Sequence, residues 1–173
     1  MRLLISYIIL LATVMLSCSN NSNQQYILSI DSLSTTLENT AIKQLKIDSF
    51  AIVEIRKEVE DNCSNINYKN DNLNNKVIIQ YNQIVSSLDQ ILRMNIQLKK
   101  DIANSRTQIN NLLYDIKNNL VDTTLLAKYI KDEKITVNSI VDRMNYNYER
   151  VMAETSRYDS LNPLIENIIH NNN

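Results

Sequence analysis

Few side chains in this sequence could carry chemistry: two cysteines, one histidine, and short groups of acidic and aromatic residues. His170 stands alone in an Asn-rich tail. No HExxH zinc site, histidine-bearing triad or cluster of imidazole ligands can be built from it. One metal ligand or a pH switch is the functional reading of such a residue, and a solvated terminal side chain is the simpler one. Glu54, Glu58, Glu60 and Asp61 resemble the paired carboxylates of acid–base catalysis, but Arg56 and Lys57 are interleaved with them. That pattern favours a solvated helix face with i,i+4 ion pairs. Met144, Tyr148, Met152 and Tyr158, with Tyr146, recur at helical spacing near the C-terminus. They suit an interaction face or ligand groove, although methionine and aromatics at helical spacing more often fill a core. No catalytic residue, cofactor site or metal site is expected, and the chain reads as a non-enzyme.

The composition narrows the choice further. The chain has 173 residues, no glycine, and Pro163 as its single proline. Hairpin turns need residues tolerant of positive φ, and glycine is their usual supplier. A chain without it is expected to turn between long helices, using Asn and Asp as the least costly substitutes. Neither a Walker loop nor a dinucleotide fingerprint can be written without glycine. A net charge of -1 gives no global attraction to nucleic acid.

The elements that must hold these residues are written in heptads. Over residues 73–119 the seam runs Val77, Tyr81, Ile84, Leu88, Ile91, Asn95, Leu98, Ile102, Ser105, Ile109, Leu112, Ile116. Its spacing alternates four and three, the period of a coiled coil. Ile78, Val85, Leu92 and Leu113 widen the stripe, as in a helix packed against two neighbours. Asn95 and Ser105 within the seam set register or partner choice, mark a hydrogen-bonded core site, or mark a loosely packed layer near solvent. An earlier segment, residues 30–64, carries Ile30, Leu33, Leu37, Ala41, Leu45, Ile52, Ile55 and Val59, with Asp48 and Asn62 as polar interruptions. Asp31 is its expected N-cap, with Thr35 and Glu38 as a capping box. A third segment, residues 123–159, has Asp122 as N-cap, and the charged "KDEK" at residues 131–134 is expected to loosen its start. Asn162 followed by Pro163 reads as the start of a separate short helix, residues 163–170. Reversals are expected within the Asn-dense residues 61–76 and at residues 118–124. The predicted fold is all-α: three long antiparallel helices in a coiled-coil-like bundle, plus the short C-terminal helix. The competing arrangement is extended helices that dimerise, leaving a homo-oligomer open.

The N-terminus carries a positive Arg2, an apolar run over residues 3–16, then Ser17 and Cys18. The run is shorter than the roughly 20 residues that span a bilayer and suits a signal peptide of residues 1–17. "VMLSC" resembles the lipobox of bacterial lipoproteins, with Ser17 in the small-residue slot and Met15 where that family prefers leucine. The resemblance implies lipidation of Cys18 and a membrane anchor through it. Several acyl chains, each worth about 0.8 kcal/mol per buried CH₂, would hold firmly. A plain secretory peptide and an uncleaved anchor are the other readings. Residues 18–28, "CSNNSNQQYIL", read as the lipidated cysteine and a polar tether, with the helical domain over residues 29–173. Ser19 behind the cysteine, rather than Asp, implies the outer membrane, and the lack of an acidic cluster implies its periplasmic face.

The whole chain is similar to small all-helical bacteroidete-type lipoproteins. In that setting Asp-Ser-Leu at residues 31–33 and 159–161, and Asp-Thr-Thr at 122–124, resemble O-glycosylation acceptors at Ser32, Ser160 and Thr123. Helix caps have the same composition. Cys63, four residues after Val59 and three before Ile66, would sit on an apolar stripe as a small buried hydrophobe. In an oxidising compartment an intermolecular disulfide is its alternative. The expected function is a membrane-anchored helical interaction or spacer protein with an envelope protein as partner. The alternative is a carrier or chaperone-like lipoprotein for an apolar ligand or polypeptide.

Overall fold

The computed structural model describes residues 19–66 and 72–172, with side chains from 23 to 66 and from 75 to 171. The fold is all-α. The elements are α1 (Ser19–Leu45), α2 (Ser49–Ser64), α3 (Asn72–Lys117) and α4 (Thr123–Asn172), and no strand occurs among the described residues. They form three arms, the first of them bent between α1 and α2. The expected signal segment and Cys18 lie outside the described residues.

Two compact units share these helices. One is built from α1 up to Asn39 together with Ile102–Ser139. In it, Asn23 bonds Asn119 and Glu38 meets Arg106, so α1 and α3 run antiparallel. Ile30, Leu37, Ile109, Ile116, Leu126 and Val137 form its core. The other unit combines Thr40–Asp101 with Ile140–Asn173. There Ser49 meets Asn95, Arg56 meets Asp89 and Asn62 meets Tyr81, which makes α2 and α3 antiparallel. Lys43 bonds Asn145, and Glu58 and Asn62 both bond Asn162; the separations of 102, 104 and 100 residues stay nearly constant, so α4 runs parallel to the bent first arm.

The seam of α3 is buried as its heptads require. Tyr81, Ile84, Leu88, Ile91, Leu98, Ile102, Ile109 and Ile116 are core residues, while Val77 and Leu112 are half-buried. Burial of each such side chain stabilises by roughly 1.5–3 kcal/mol.

Three expectations need correction. First, α1 begins at Ser19, so the residues after Ser19 read as a tether are helical. Tyr26 and Ile27 are half-buried and extend the stripe back from Ile30. Asp31 is therefore mid-helix, Thr35 donates its hydroxyl to the Asp31 carbonyl at 2.9 Å, and Glu38 serves Arg106 rather than a capping box. Second, the predicted first helix is two helices. The amides of Lys46 and Ile47 bond back to Lys43 and Gln44, tightening the end of α1. Asp48 then caps α2, accepting from the amides of Phe50 and Ala51 at 3.0 Å each. The bend turns Leu45 out to 77% exposure and Ile47 in to 5%. Third, there is no separate C-terminal helix: α4 continues through Pro163. Asn162 does not cap; its side chain links to Tyr81, Asn62, Glu58 and Glu166, and Ile165 is fully buried one turn further on. These contacts offset the amide that proline removes. The helix also runs unbroken through residues 131–134.

The turn between α3 and α4 answers how a glycine-free chain reverses. Asn119 takes φ 53°, the left-handed region, at the position where glycine usually stands. Its amide bonds the Ile116 carbonyl at 3.2 Å, and the Leu120 amide bonds the Asp115 carbonyl at 2.8 Å. These are the two bonds of a Schellman cap. Asp122 then caps α4 by accepting from the amide and hydroxyl of Thr124, both at 2.9 Å. Replacement of Asn119 by glycine, alanine and valine is expected to give decreasing stability in that order. Valine should cost about 1–2 kcal/mol relative to glycine. Urea unfolding of the three variants measures this, and equal midpoints for glycine and valine would contradict the backbone assignment.

Candidate functional site

The residues singled out from the sequence do not gather at one place. Met144 is fully buried, whereas Met152 on the same arm is 55% exposed. Tyr148 is half-buried with the Lys43 ammonium 4.8 Å from its ring centre, a cation–π contact. Tyr158 stacks on Tyr81, ring centroids 6.4 Å apart. None of these four lines either of the two cavities described below. His170 is exposed. Arg56 pairs with Glu60 at 2.8 Å and with Asp89 at 2.6 Å, the solvated pairing that the acidic run suggested. Cys63 is a free, half-buried thiol, and burial raises its pKa, which lowers its reactivity as a nucleophile. Ser32 and Ser160 are exposed within helices, and Thr123 is exposed at the first position of α4.

Asn95 is a hydrogen-bonded core residue rather than a loose layer. Its amide donates to the Ser49 hydroxyl at 3.0 Å and its carbonyl oxygen accepts from Gln44 at 3.2 Å. Gln44 and Ser49 stand on either side of the bend, so this seam asparagine ties both helices of the bent arm to α3. Ser105, also buried, has no hydrogen-bond partner for its hydroxyl among the described residues.

The densest polar site in the second unit is centred on Tyr81. Its ring is fully buried and its hydroxyl donates to the Asn162 side-chain carbonyl. Asn62 donates to the same hydroxyl and the same carbonyl, at 3.1 Å each. Asn162 in turn donates to Glu58 and Glu166, also at 3.1 Å each. Burial pushes the Tyr81 phenol up to about 12, helped by the charges of Glu58, Cys63 and Glu166 and opposed by the Asn62 bond. Tyr158 is raised as well, by burial first and then by its bond to Glu58. Phenols held this firmly protonated are poor bases at neutral pH. The node joins α2, α3 and α4 and serves structure.

A groove is found instead in the first unit, at the turn between α3 and α4. Its volume is about 670 Å³. Leu112, Leu120, Val121, Leu125 and Tyr129 give it an apolar surface. Leu120 is 64% exposed and Leu125 43%. Four carboxylates share the lining: Asp115, Asp122, Asp132 and Glu133. Glu133 is raised in pKa, by burial first and then by the charge of Asp132, and its Oε2 is buried without a hydrogen-bond partner. The lining contains no lysine, arginine, histidine, cysteine, serine or threonine. It can therefore cover apolar surface, accept hydrogen bonds at its carboxylates and donate them from Gln108, Asn111 and Tyr129. A second cavity of about 440 Å³ lies between α1 and α4 in the same unit, lined among others by Leu28, Leu33 and Ile130. Sequence reasoning passed over the groove because its residues are spread across a helix end, a loop and a helix start. The visible signal was Leu120 and Val121, two apolar residues inside an otherwise polar reversal.

Among the described residues no three His, Cys, Asp or Glu side chains group as metal ligands, and no helix is long and apolar enough to cross a membrane. Compared with protein families, characterised proteins and solved structures, the chain matches none of them. The class that the fold defines is thus an all-α protein of two units, in the first of which three helical segments pack together and in the second four.

Between pH 10 and about 12 an unfolded tyrosine sheds its proton while Tyr81 keeps it. Stability therefore falls as pH rises through that window. Tyr81→Phe is expected to cost about 1–2 kcal/mol at neutral pH by removing the hydroxyl's bond to the Asn162 carbonyl and the one it accepts from Asn62. It should also make the alkaline loss of stability shallower, with the Tyr158 contribution remaining. Urea unfolding followed by circular dichroism at pH 7 and pH 11 reads both; identical pH dependence in the two proteins would rule the account out.

Proposed function

We propose that this chain is a non-enzymatic helical interaction or spacer protein of the cell envelope, anchored by a lipid on Cys18. In this reading residues 1–17 are removed and the mature protein faces the periplasm from the outer membrane. Each unit acts as a coiled-coil-like three-helix bundle whose rigid arms present surface to an envelope protein. The anchor rests on "VMLSC" and the apolar run before it. The observation that carries the interaction role is the open groove at the α3–α4 turn, where Leu120 and Leu125 remain exposed beside unpaired carboxylates. Large exposed apolar residues grouped in a groove are a common sign of a binding surface.

A carrier of an apolar ligand is the second reading, favoured by the two cavities, whose volumes of about 670 and 440 Å³ are of small-molecule size. Crosslinking followed by capture from membranes separates the two by returning either a protein or a small apolar ligand.

Replacement Cys18→Ala is expected to abolish incorporation of a labelled fatty acid and to release the helical domain from membranes. Metabolic labelling with membrane fractionation tests this. A wild-type protein without label, or a variant that still sediments with membranes, would defeat the anchor.

A further inference from the structure

We propose that the groove at the α3–α4 turn is a docking site for a basic amphipathic helix of a partner protein, one presenting leucine-like side chains flanked by lysine or arginine. This rests on the interaction reading above and is independent of the lipid anchor.

The apolar half of the match comes from Leu120, Leu125 and Tyr129, exposed by 64%, 43% and 40% along the start of α4 and the loop before it. A short row of anchors spaced by about a helical turn is what the apolar face of a partner helix fills. The charged half decides which helix. Asp122 is committed to capping α4 through Thr124. Asp115, Asp132 and Glu133 enter no ion pair among the described residues. Elsewhere in the protein acidic side chains do find cations: Glu38 takes Arg106, Asp89 takes Arg56 and Asp101 takes Arg143. The groove is thus a place where carboxylates converge without a basic neighbour in the lining. Glu133 sharpens the point, because one of its oxygens is buried without a donor. That oxygen has no accessible surface of its own, so the countercharge of an incoming ammonium or guanidinium acts on the carboxylate as a whole rather than through a bond to it. An acidic helix would add like-charge repulsion, and a neutral apolar one would leave the carboxylates uncompensated.

The test uses the purified full-length protein in detergent and two fluorescent 18-residue peptides. One carries leucine and lysine at helical spacing, and the other has glutamate in place of every lysine. Anisotropy is expected to show saturable binding of the Leu/Lys peptide and none of the Leu/Glu peptide. The double variant Asp132→Asn, Glu133→Gln and the single variant Leu125→Ala should each weaken binding by about tenfold or more. Peptide partition into micelles is common to all samples and cancels in the comparison. The control Glu54→Gln, an exposed carboxylate on α2 outside the groove, should leave binding unchanged. Circular dichroism verifies that each variant keeps its helicity, and neutralising Asp132 and Glu133 relieves repulsion rather than removing packing.

Equal affinity of the wild type and the double variant would overturn the proposal, as would equal binding of the two peptides. Tight binding of a neutral apolar dye, undiminished in the double variant, would overturn it in favour of a carrier. Capture of an envelope protein that survives the groove variants would sink this site while leaving the interaction role standing. Failure of the Cys18→Ala test would touch only the anchor.

Discussion

Burial of one stripe along α3 underlies everything else in this protein. That helix supplies core residues to both units, from Tyr81 and Ile84 to Ile109 and Ile116. Each other helix is positioned by what it lays against that stripe. The spacing of alternate fours and threes keeps the seam on one face of a helix of 46 residues. Neighbours on both sides are needed because half-buried Val85, Leu92 and Leu113 widen the face beyond what one partner covers. The polar side chains set position rather than strength. Asn95, Arg106, Asp89 and Tyr81 on α3 each meet side chains of neighbouring helices, and a shift of one residue would disturb all four sets together.

How much of this was written in the sequence depends on the kind of signal. The seam of α3 was legible to the residue because a long repeat averages over local exceptions. The cap at Asp122 was legible because it precedes threonine at a composition break. The bend at residues 46–48 was not. Asp48 reads equally as a solvent-facing interruption or as a cap, and the choice is made by Asn95, which lies far along the chain and bonds Gln44 and Ser49. Pro163 misled for a similar reason. A proline after asparagine is a good helix start in isolation, but the node around Tyr81 engages the Asn162 side chain and the helix continues through it. At the start of α1 the polar letters concealed a continuation of the stripe through Tyr26. The candidate groove needed three dimensions, since Asp115 and Glu133 belong to different helices.

The missing glycine has two effects that pull in opposite directions. Each residue enters folding with fewer accessible backbone states, which lowers the entropy lost on ordering. The same restriction forces Asn119 to take a conformation that costs an ordinary side chain more than it costs glycine. The chain concentrates that cost at one described position and offsets it with two backbone bonds and the Asn23 contact.

The Tyr81 node also orders events in time. Asn62 and Tyr81 are only 19 residues apart, so their meeting closes a short loop. Tyr81 and Asn162 are separated by 81 residues, and Glu58 and Asn162 by 104. Each doubling of the enclosed loop adds about 0.6 kcal/mol of closure entropy. A direct collision of the distant pair is therefore the unfavourable route. Once the α3–α4 reversal at Asn119 has formed, however, each further turn of packing shortens the remaining free loop. Loop-closure entropy thus favours packing that spreads from the Asn119 reversal, with the Asn162 side of the node joining late, a clasp that fastens after the teeth have met.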